Sequence, residues 1–227
     1  MAHVKKTNFN GDSNIGMYAI ATDTYCLVGK SISDKHIQEL KEVLKVPIYK
    51  LRIYRTPFLG IFVVANSNKI LVPDIIFKEE LEEFKKIKEA KVEVINTKNT
   101  ALNNNIILNN NIAIVSKEFT KEEVAEIKKK LGIKKILEIS SLNQAVPGSY
   151  AVLTNKGGIV SSEISKKDLD KIEKETKFEI GIGTVNMGSN FLGAGIIANS
   201  NGFLIGDLSS GIEIGRVDES LGFLNKN

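Results

Sequence analysis

Hydrophobic and polar positions recur along this chain with a period close to 44 residues. Five segments align without gaps: Ile20–Val28, Val64–Val72, Ile107–Val115, Val152–Val160 and Ile197–Ile205. Their spacings are 44, 43, 45 and 45 residues. Each opens on a β-branched residue, as a strand prefers, and closes on an aliphatic pair such as Leu71-Val72 or Ile114-Val115. Between the two lies a polar turn, for example Asn66-Ser67-Asn68 or Asn109-Asn110-Asn111. Such residues bond their own backbone and accept turn geometry, so each segment predicts a β-hairpin. Upstream of every hairpin, in the same register, stand Gly16, Gly60, Asn103, Gly148 and Gly193. Glycine, and next to it asparagine, reaches positive φ most readily, so a tight left-handed bend is expected at each.

A helix follows each of the first four hairpins. Ile37, Leu40, Val43 and Leu44 form the apolar stripe of the first, after Ser33; Leu81, Phe84 and Ile87 form that of the second. In the third, Thr120 and Glu123 make a capping-box pattern, Val124, Ile127 and Leu131 the stripe, and Gly132 the stop. The fourth has Ser165 and Asp168 ahead of Leu169 and Ile172. Further strands are predicted at Tyr49–Ile53, Val92–Ile95, Ile136–Ile139 and Phe178–Ile182. The fifth unit departs from this: Ser209–Leu221 contains Gly211 and Gly215 and shows no helical stripe. The fold class is therefore α/β, one domain over residues 1–227 built from tandem ββαβ units at roughly 14–56, 57–99, 100–142, 145–185 and 190–224. A sheet of three strands cannot bury both faces alone, so the units are expected to stack about an axis with helices outside. Val4–Phe9 is a candidate strand to close the last unit on the first. In such a ring the five bends share one face and the hairpin tips gather elsewhere.

Composition narrows the function. Hydrophobic residues make up 42 % and charged residues 26 % of 227, with a net charge of +4. That is a globular chain without the charge of a strongly basic nucleic-acid binder. Cys26 is the only cysteine, which excludes a disulfide framework or a thiolate zinc site and fits the cytoplasm. No apolar run is long enough for a membrane span, and the first residues are not those of a signal peptide. The runs Lys128-Lys129-Lys130, Glu79-Glu80 and Glu82-Glu83 read as solvated helix faces.

Several short strings resemble the translation initiation factor 6 family in its shorter archaeal form. They are Thr24–Val28, Leu71-Val72-Pro73, Gly148-Ser149-Tyr150 leading to Asn155–Val160, and Gly183–Ser189. The resemblance spans nearly the whole chain, which stops soon after the fifth unit without the tail of the eukaryotic members. It implies the pentein fold, a five-bladed α/β propeller with pseudo-five-fold symmetry. It also implies a protein that binds the joining face of the large ribosomal subunit, holds off the small subunit and takes part in large-subunit maturation. The implied partner is a ribosomal protein beside the sarcin–ricin loop, with rRNA within reach; from the residues themselves a monomer without cofactor, metal or membrane is expected. The implied contact region is the third bend, Asn103 and Asn104, together with its register mates. These include Gly60, Ile61, Gly148 and Ser149; Met17 and Ala194 complete the rim. Asn186, Gly188, Ser189 and Asn190 join them as part of a specific string before the fifth bend. Two departures stand out: the family has Gly-Asn where this chain has Asn103-Asn104, and often Arg where it has Ile61.

Two other functions compete. The pentein fold also hosts guanidino-modifying enzymes, which resemble one another in a nucleophilic Cys with His and carboxylates. Here Cys26 sits beside Leu27 and Val28 on a hairpin strand, His3 in an expected frayed terminus and His36 at a solvated helix position, so no activated thiolate is expected. A ring threading nucleic acid is the second alternative, opposed by low charge and a narrow axis.

Overall fold

The structure is a computed structural model and describes residues 3–139, 141 and 146–224; the expected unit boundary at 142–145 lies outside the described residues. Among the described residues, fifteen strands form five three-stranded sheets. The first sheet holds β2 (Ala19–Ala21), β3 (Cys26–Gly29) and β4 (Ile48–Leu51). The second holds β5 (Val64–Ala65), β6 (Lys69–Pro73) and β7 (Lys91–Ile95). The third holds β8 (Ile106–Leu108), β9 (Ile112–Val115) and β10 (Lys135–Leu137). The fourth holds β11 (Ala151–Leu153), β12 (Gly158–Val160) and β13 (Ile180–Ile182). In each, the hairpin pair is antiparallel and the strand after the helix pairs parallel with the middle strand. The third strands begin or end a residue or more from their expected bounds. Ile53, for instance, leaves β4 to bridge Thr56 across a tight turn.

The fifth sheet is completed from the other end of the chain. β14 (Ile196–Asn199) and β15 (Gly202–Gly206) form its hairpin, and β1 (Val4–Thr7) pairs parallel with β15, Val4 opposite Phe203 and Thr7 opposite Gly206. The N-terminus thus closes the ring. His3 is not frayed: its Nε2 lies 2.7 Å from Asp218 Oδ1 and its ring stacks 5.0 Å from Phe223.

No central core holds the ring. Five hydrophobic clusters each fill the gap between consecutive sheets. Val64 and Leu71 of the second sheet pack with Ala113, Val115, Ile127 and Leu131 of the third unit, and Ile197 and Leu204 of the fifth with Cys26, Val28 and Leu40 of the first. The helices Asp34–Leu44 and Lys121–Leu131 pack against the preceding sheet as well as their own, and the clusters join side chains of neighbouring units all round the ring, so no unit buries its faces alone.

The fifth unit does carry a helix, Gly211–Ser220. Its two glycines weaken it by propensity, roughly 1 kcal/mol each relative to alanine. A reciprocal capping box offsets them: Ser210 Oγ accepts from Glu213 N–H at 3.3 Å, and Glu213 accepts from Ser210 N–H at 2.7 Å. Fully buried Val217 and Leu221 supply the packed side. The Thr120–Glu123 box and the left-handed Gly132 stop lie where the sequence predicts them.

Candidate functional site

Ahead of every hairpin the chain makes one short helical turn: Ile15–Met17, Leu59–Phe62, Leu102–Asn105, Pro147–Tyr150 and Leu192–Gly195. The residue before each turn has ψ between 54° and 66°, so five unlike sequences adopt one backbone path. The first residue of each turn is buried in the core.

The second residue of each turn is the glycine-type position, and none of the five has positive φ. The expected left-handed bend is absent. Glycine is needed there for a different reason, the close approach of backbones around the axis. A Cβ on Gly60 would lie 1.8 Å from the Gly16 carbonyl oxygen, on Gly148 1.9 Å from that of Asn103, on Gly193 2.4 Å from that of Gly148, and on Gly16 2.1 Å from that of Gly193. The one link without glycine is made by a side chain, since Asn103 Nδ2 donates to the Gly60 carbonyl at 2.9 Å. Each bend therefore rests on the one before it, and the cycle closes.

The third residues of the turns are Met17, Ile61, Asn104, Ser149 and Ala194. All five line one shallow bowl of about 270 Å³, with Gly60, Asn103, Gly148 and Gly193 as its floor and Asn14 and Phe191 on its margin. Among the described residues, no charged side chain lines it. The bowl thus joins six of the ten predicted contact residues: Asn103, Asn104, Gly60, Ile61, Gly148 and Ser149.

Asn186, Gly188, Ser189 and Asn190 do not line the bowl. They belong to a tight turn closed by mutual hydrogen bonds between Val185 and Ser189, with Asn186, Met187 and Gly188 all at positive φ. The preceding strand, β13, runs parallel to β12 away from the hairpin tips, so the turn lies on the bend face, outside the bowl. Asn186 is committed inward: its Nδ2 donates to the Ser13 carbonyl at 3.1 Å and its N–H to Ser209 Oγ at 2.9 Å.

One carboxylate holds this turn. Glu213 accepts from Gly188 N–H at 2.9 Å and from the Thr184 hydroxyl at 2.9 Å, in addition to Ser210 N–H. Burial alone would raise its carboxyl, but the hydrogen bonds from Ser210, Gly188 and Thr184 outweigh it and hold the group below the ordinary glutamate range. Glu80 does the same for the turn before the second bend, accepting from Tyr54 N–H at 2.8 Å and Arg55 N–H at 2.7 Å, both residues at positive φ. Glu80 is thus buried, not on the solvated face expected for it. Because the folded Glu213 carboxyl is the stronger acid, its contribution to stability is complete above the ordinary carboxylate range and is lost as pH falls through the lowered value. Glu213→Gln is expected to cost about 1–3 kcal/mol at pH 7. The deficit against the parent should shrink in acid, as read from urea midpoints at pH 7 and pH 3.

The bend face is also where apolar surface is exposed. Of the seven exposed large hydrophobic residues among the described ones, Tyr54, Met187, Phe191, Leu208 and Ile212 lie on it; Met187 is 79 % and Ile212 87 % exposed. Arg55 stands beside them with its guanidinium 4.5 Å from the Phe77 ring, which stacks on Tyr54.

The opposite end of the axis is polar and shut. Adjacent hairpin tips are joined by Thr24 Oγ1 to the Ser67 carbonyl (2.8 Å), Ser67 N–H to Asn110 Oδ1 (3.0 Å) and Asn110 N–H to Asn155 Oδ1 (3.0 Å). Lys156 Nζ to the Ser200 carbonyl (2.7 Å) and Ser200 N–H to Asp23 Oδ1 (2.8 Å) complete the circuit. Asn155 Nδ2 donates to Asp23 Oδ2 at 2.7 Å. Between this ring and the bends lies a cavity of about 90 Å³, too small to pass a nucleic-acid strand.

Cys26 is fully buried, and burial pushes its thiol far up, away from the thiolate a nucleophile requires. His36 is half-buried, with Nδ1 3.0 Å from Ser33 Oγ and its ring 5.2 Å from Phe9. Among the described residues no group of three or more His, Cys, Asp or Glu is placed to hold a metal, and no helix is long and apolar enough to cross a membrane.

A family match decides the affiliation: the eIF-6 family profile covers residues 4–220. The chain belongs to the eIF-6 family. Translation initiation factor 6 from Pyrococcus abyssi is 36 % identical over 227 residues, spanning 98 % of this chain and 100 % of its own length. The factor of the same name from Saccharolobus islandicus is 35 % identical over 221 residues, 97 % and 99 % of the two chains. Among solved structures, a DDAH from Pseudomonas aeruginosa complexed with citrulline has a TM-score of 0.46 at 8 % identity, covering 75 % of this chain and 69 % of that one. The five-sheet ring is the pentein arrangement that the resemblance implied. Within this eIF-6 family chain, sequence reasoning missed Glu80, Glu213 and Phe191. The Ser210–Glu213 spacing, a capping-box signature ahead of Ile214 and Val217, was the available signal for one of them.

Proposed function

We propose that this protein is a translation initiation factor that binds the joining face of the large ribosomal subunit through its bend face and sterically holds off the small subunit. It acts in the cytoplasm as a monomer and takes part in large-subunit maturation. The observation that carries this reading is the bowl, in which all five symmetry-related turn residues meet on an uncharged floor, flanked by the exposed hydrophobic side chains. A stable protein interface takes roughly 800 Å² from each partner, a small share of the 10412 Å² accessible here. An uncharged centre surrounded by exposed apolar side chains matches the depletion of charge at the core of such interfaces. Obstruction requires shape and residence time, with no reacting group, in keeping with the buried thiol. The partner is a ribosomal protein beside the sarcin–ricin loop, and Asn104 is the central contact.

Asn104→Glu places a charge in the uncharged bowl. It should weaken co-sedimentation with purified large subunits by at least about 10-fold, since burying an unpaired charge costs several kcal/mol. The melting temperature should stay within about 2 °C of the parent, because the side chain is half-exposed. Undiminished binding would remove the bowl from the interface.

A further inference from the structure

The helix termini divide charge between the two faces of the disk. Acidic residues occupy first turns at the bend-face margin, such as Glu79 and Glu80 or Glu122 and Glu123. The other margin, beside the hairpin tips, is basic in the second and third units. Segments 85–93 and 126–135 hold nine lysines against three glutamates, a surplus larger than the net charge of the whole chain.

Exposure sharpens the contrast. Lys85, Lys86, Lys88 and Lys91 are exposed, as are Lys128, Lys129, Lys134 and Lys135; of these, Lys85 pairs with Glu82 and Lys135 with Glu175. The glutamates Glu89, Glu93 and Glu126 are half-buried and committed: Glu89 to the Tyr49 hydroxyl, Glu93 between Lys69 and Lys91, Glu126 to Lys130. A groove of about 620 Å³ runs between the segments, lined by Lys91 and Glu93 of β7 and by Ala125, Glu126, Lys129 and Lys130 of the helix Lys121–Leu131. Its tip-face position is fixed by Lys91 N–H on the Asn68 carbonyl (3.0 Å) and Lys134 N–H on the Asn111 carbonyl (3.0 Å).

Complementing the helix dipole accounts for Lys128–Lys130 but not for Lys86, Lys88, Lys91, Lys134 and Lys135, which lie outside the helices. The corresponding margin of the fourth unit, Lys171–Glu179, exposes Glu179 among its lysines.

We infer that this groove and its lysine banks form a second binding surface, distinct from the bowl, that takes the phosphate backbone of an RNA helix. The choice of RNA as the polyanion rests on the proposed ribosomal role; the charge itself does not. Neither segment contains an aromatic residue or an arginine, so base stacking and bidentate base reading are lacking. Recognition is by backbone charge, independent of sequence and strongly salt-dependent.

The test uses the intact protein and a fluorescein-labelled 20-base-pair RNA duplex without ribosomes, so its outcome is separate from that of bowl docking. Anisotropy at 50 mM salt should show binding that weakens steeply towards 200 mM. The triple variant Lys128→Gln/Lys129→Gln/Lys134→Gln should lose at least about 10-fold in affinity and flatten the salt slope by roughly 2–3. Its melting temperature should fall by no more than a few °C, from the loss of two lysines that complement the helix dipole, and Asn104→Glu should bind the duplex as the parent does. No duplex binding at 50 mM salt, an unaffected triple variant, or tighter binding to phosphatidylserine vesicles than to the duplex would overturn the inference.

Discussion

Replacing Gly60 by alanine is expected to destabilise the protein by at least about 3 kcal/mol, an effect at the upper end for a one-carbon addition. The added Cβ would sit 1.8 Å from the Gly16 carbonyl oxygen and 2.9 Å from that of Ala19. Both obstacles are backbone, so no side-chain rotation relieves the clash. In an open stack the neighbouring unit would tilt away. In a closed ring, parting the first and second bends compresses another junction, and the strain reaches all five. Gly148→Ala, with its Cβ 1.9 Å from the Asn103 carbonyl, should behave alike. Gly215→Ala is the control: nothing lies within 4 Å of its Cβ, φ is ordinary, and the site is inside a helix. It should stabilise by about 0.4–1 kcal/mol. Chemical denaturation of the three variants checks this; a Gly60→Ala protein as stable as the parent would contradict the contact at the bends.

The same residues show what was legible in the sequence. The 44-residue period, the hairpin register and the parallel crossovers follow from local pattern, because polar turns and β-branched runs recur at fixed offsets. The shared face of Met17, Ile61, Asn104, Ser149 and Ala194 follows from the repeat alone, since equivalent positions in a ring must fall together. What could not be read is anything set by contact between units. A glycine that avoids a carbonyl from the preceding unit has the same local pattern as a glycine at positive φ, and only the packed ring separates them. Glu80 and Glu213 were opaque for a related reason. Each has the local pattern of a charged helix terminus, and becomes a buried clamp only when a turn from the preceding unit delivers its amides.

These cross-unit contacts also fix the backbone of the bowl. In its floor backbone packs directly on backbone at four of the five junctions, Asn103 bonds the Gly60 carbonyl at the fifth, and two of the turns around it are fixed by carboxylates. A docking surface built this way loses little conformational entropy on binding, which favours slow release for a given contact area.

One junction of the ring is made without chain continuity. Deleting residues 1–8 is expected to cost several kcal/mol, a large part of the 5–15 kcal/mol typical of a folded domain. In the first four units the third strand follows its own helix, but the fifth borrows β1 from the N-terminus. The deletion removes four ladder positions on β15, each backbone hydrogen bond contributing about 0.5–1.5 kcal/mol. It also removes the Thr7 hydroxyl from Glu39 (2.8 Å) and Asn8 Nδ2 from Asp207 (2.6 Å), and leaves Asp218 without His3. Glu39 and Asp218 are buried carboxylates and would lose these partners. Phe9, fully buried among Ile15, Leu40 and Leu44, would remain but with no strand to fix its approach. The bare edge of β15 then faces solvent as a template for pairing with a second molecule. Thermal melts should therefore show a lower midpoint together with concentration-dependent association. A truncated chain that melted as the parent does, and stayed monomeric, would mean that the ring is held by the four covalent junctions alone.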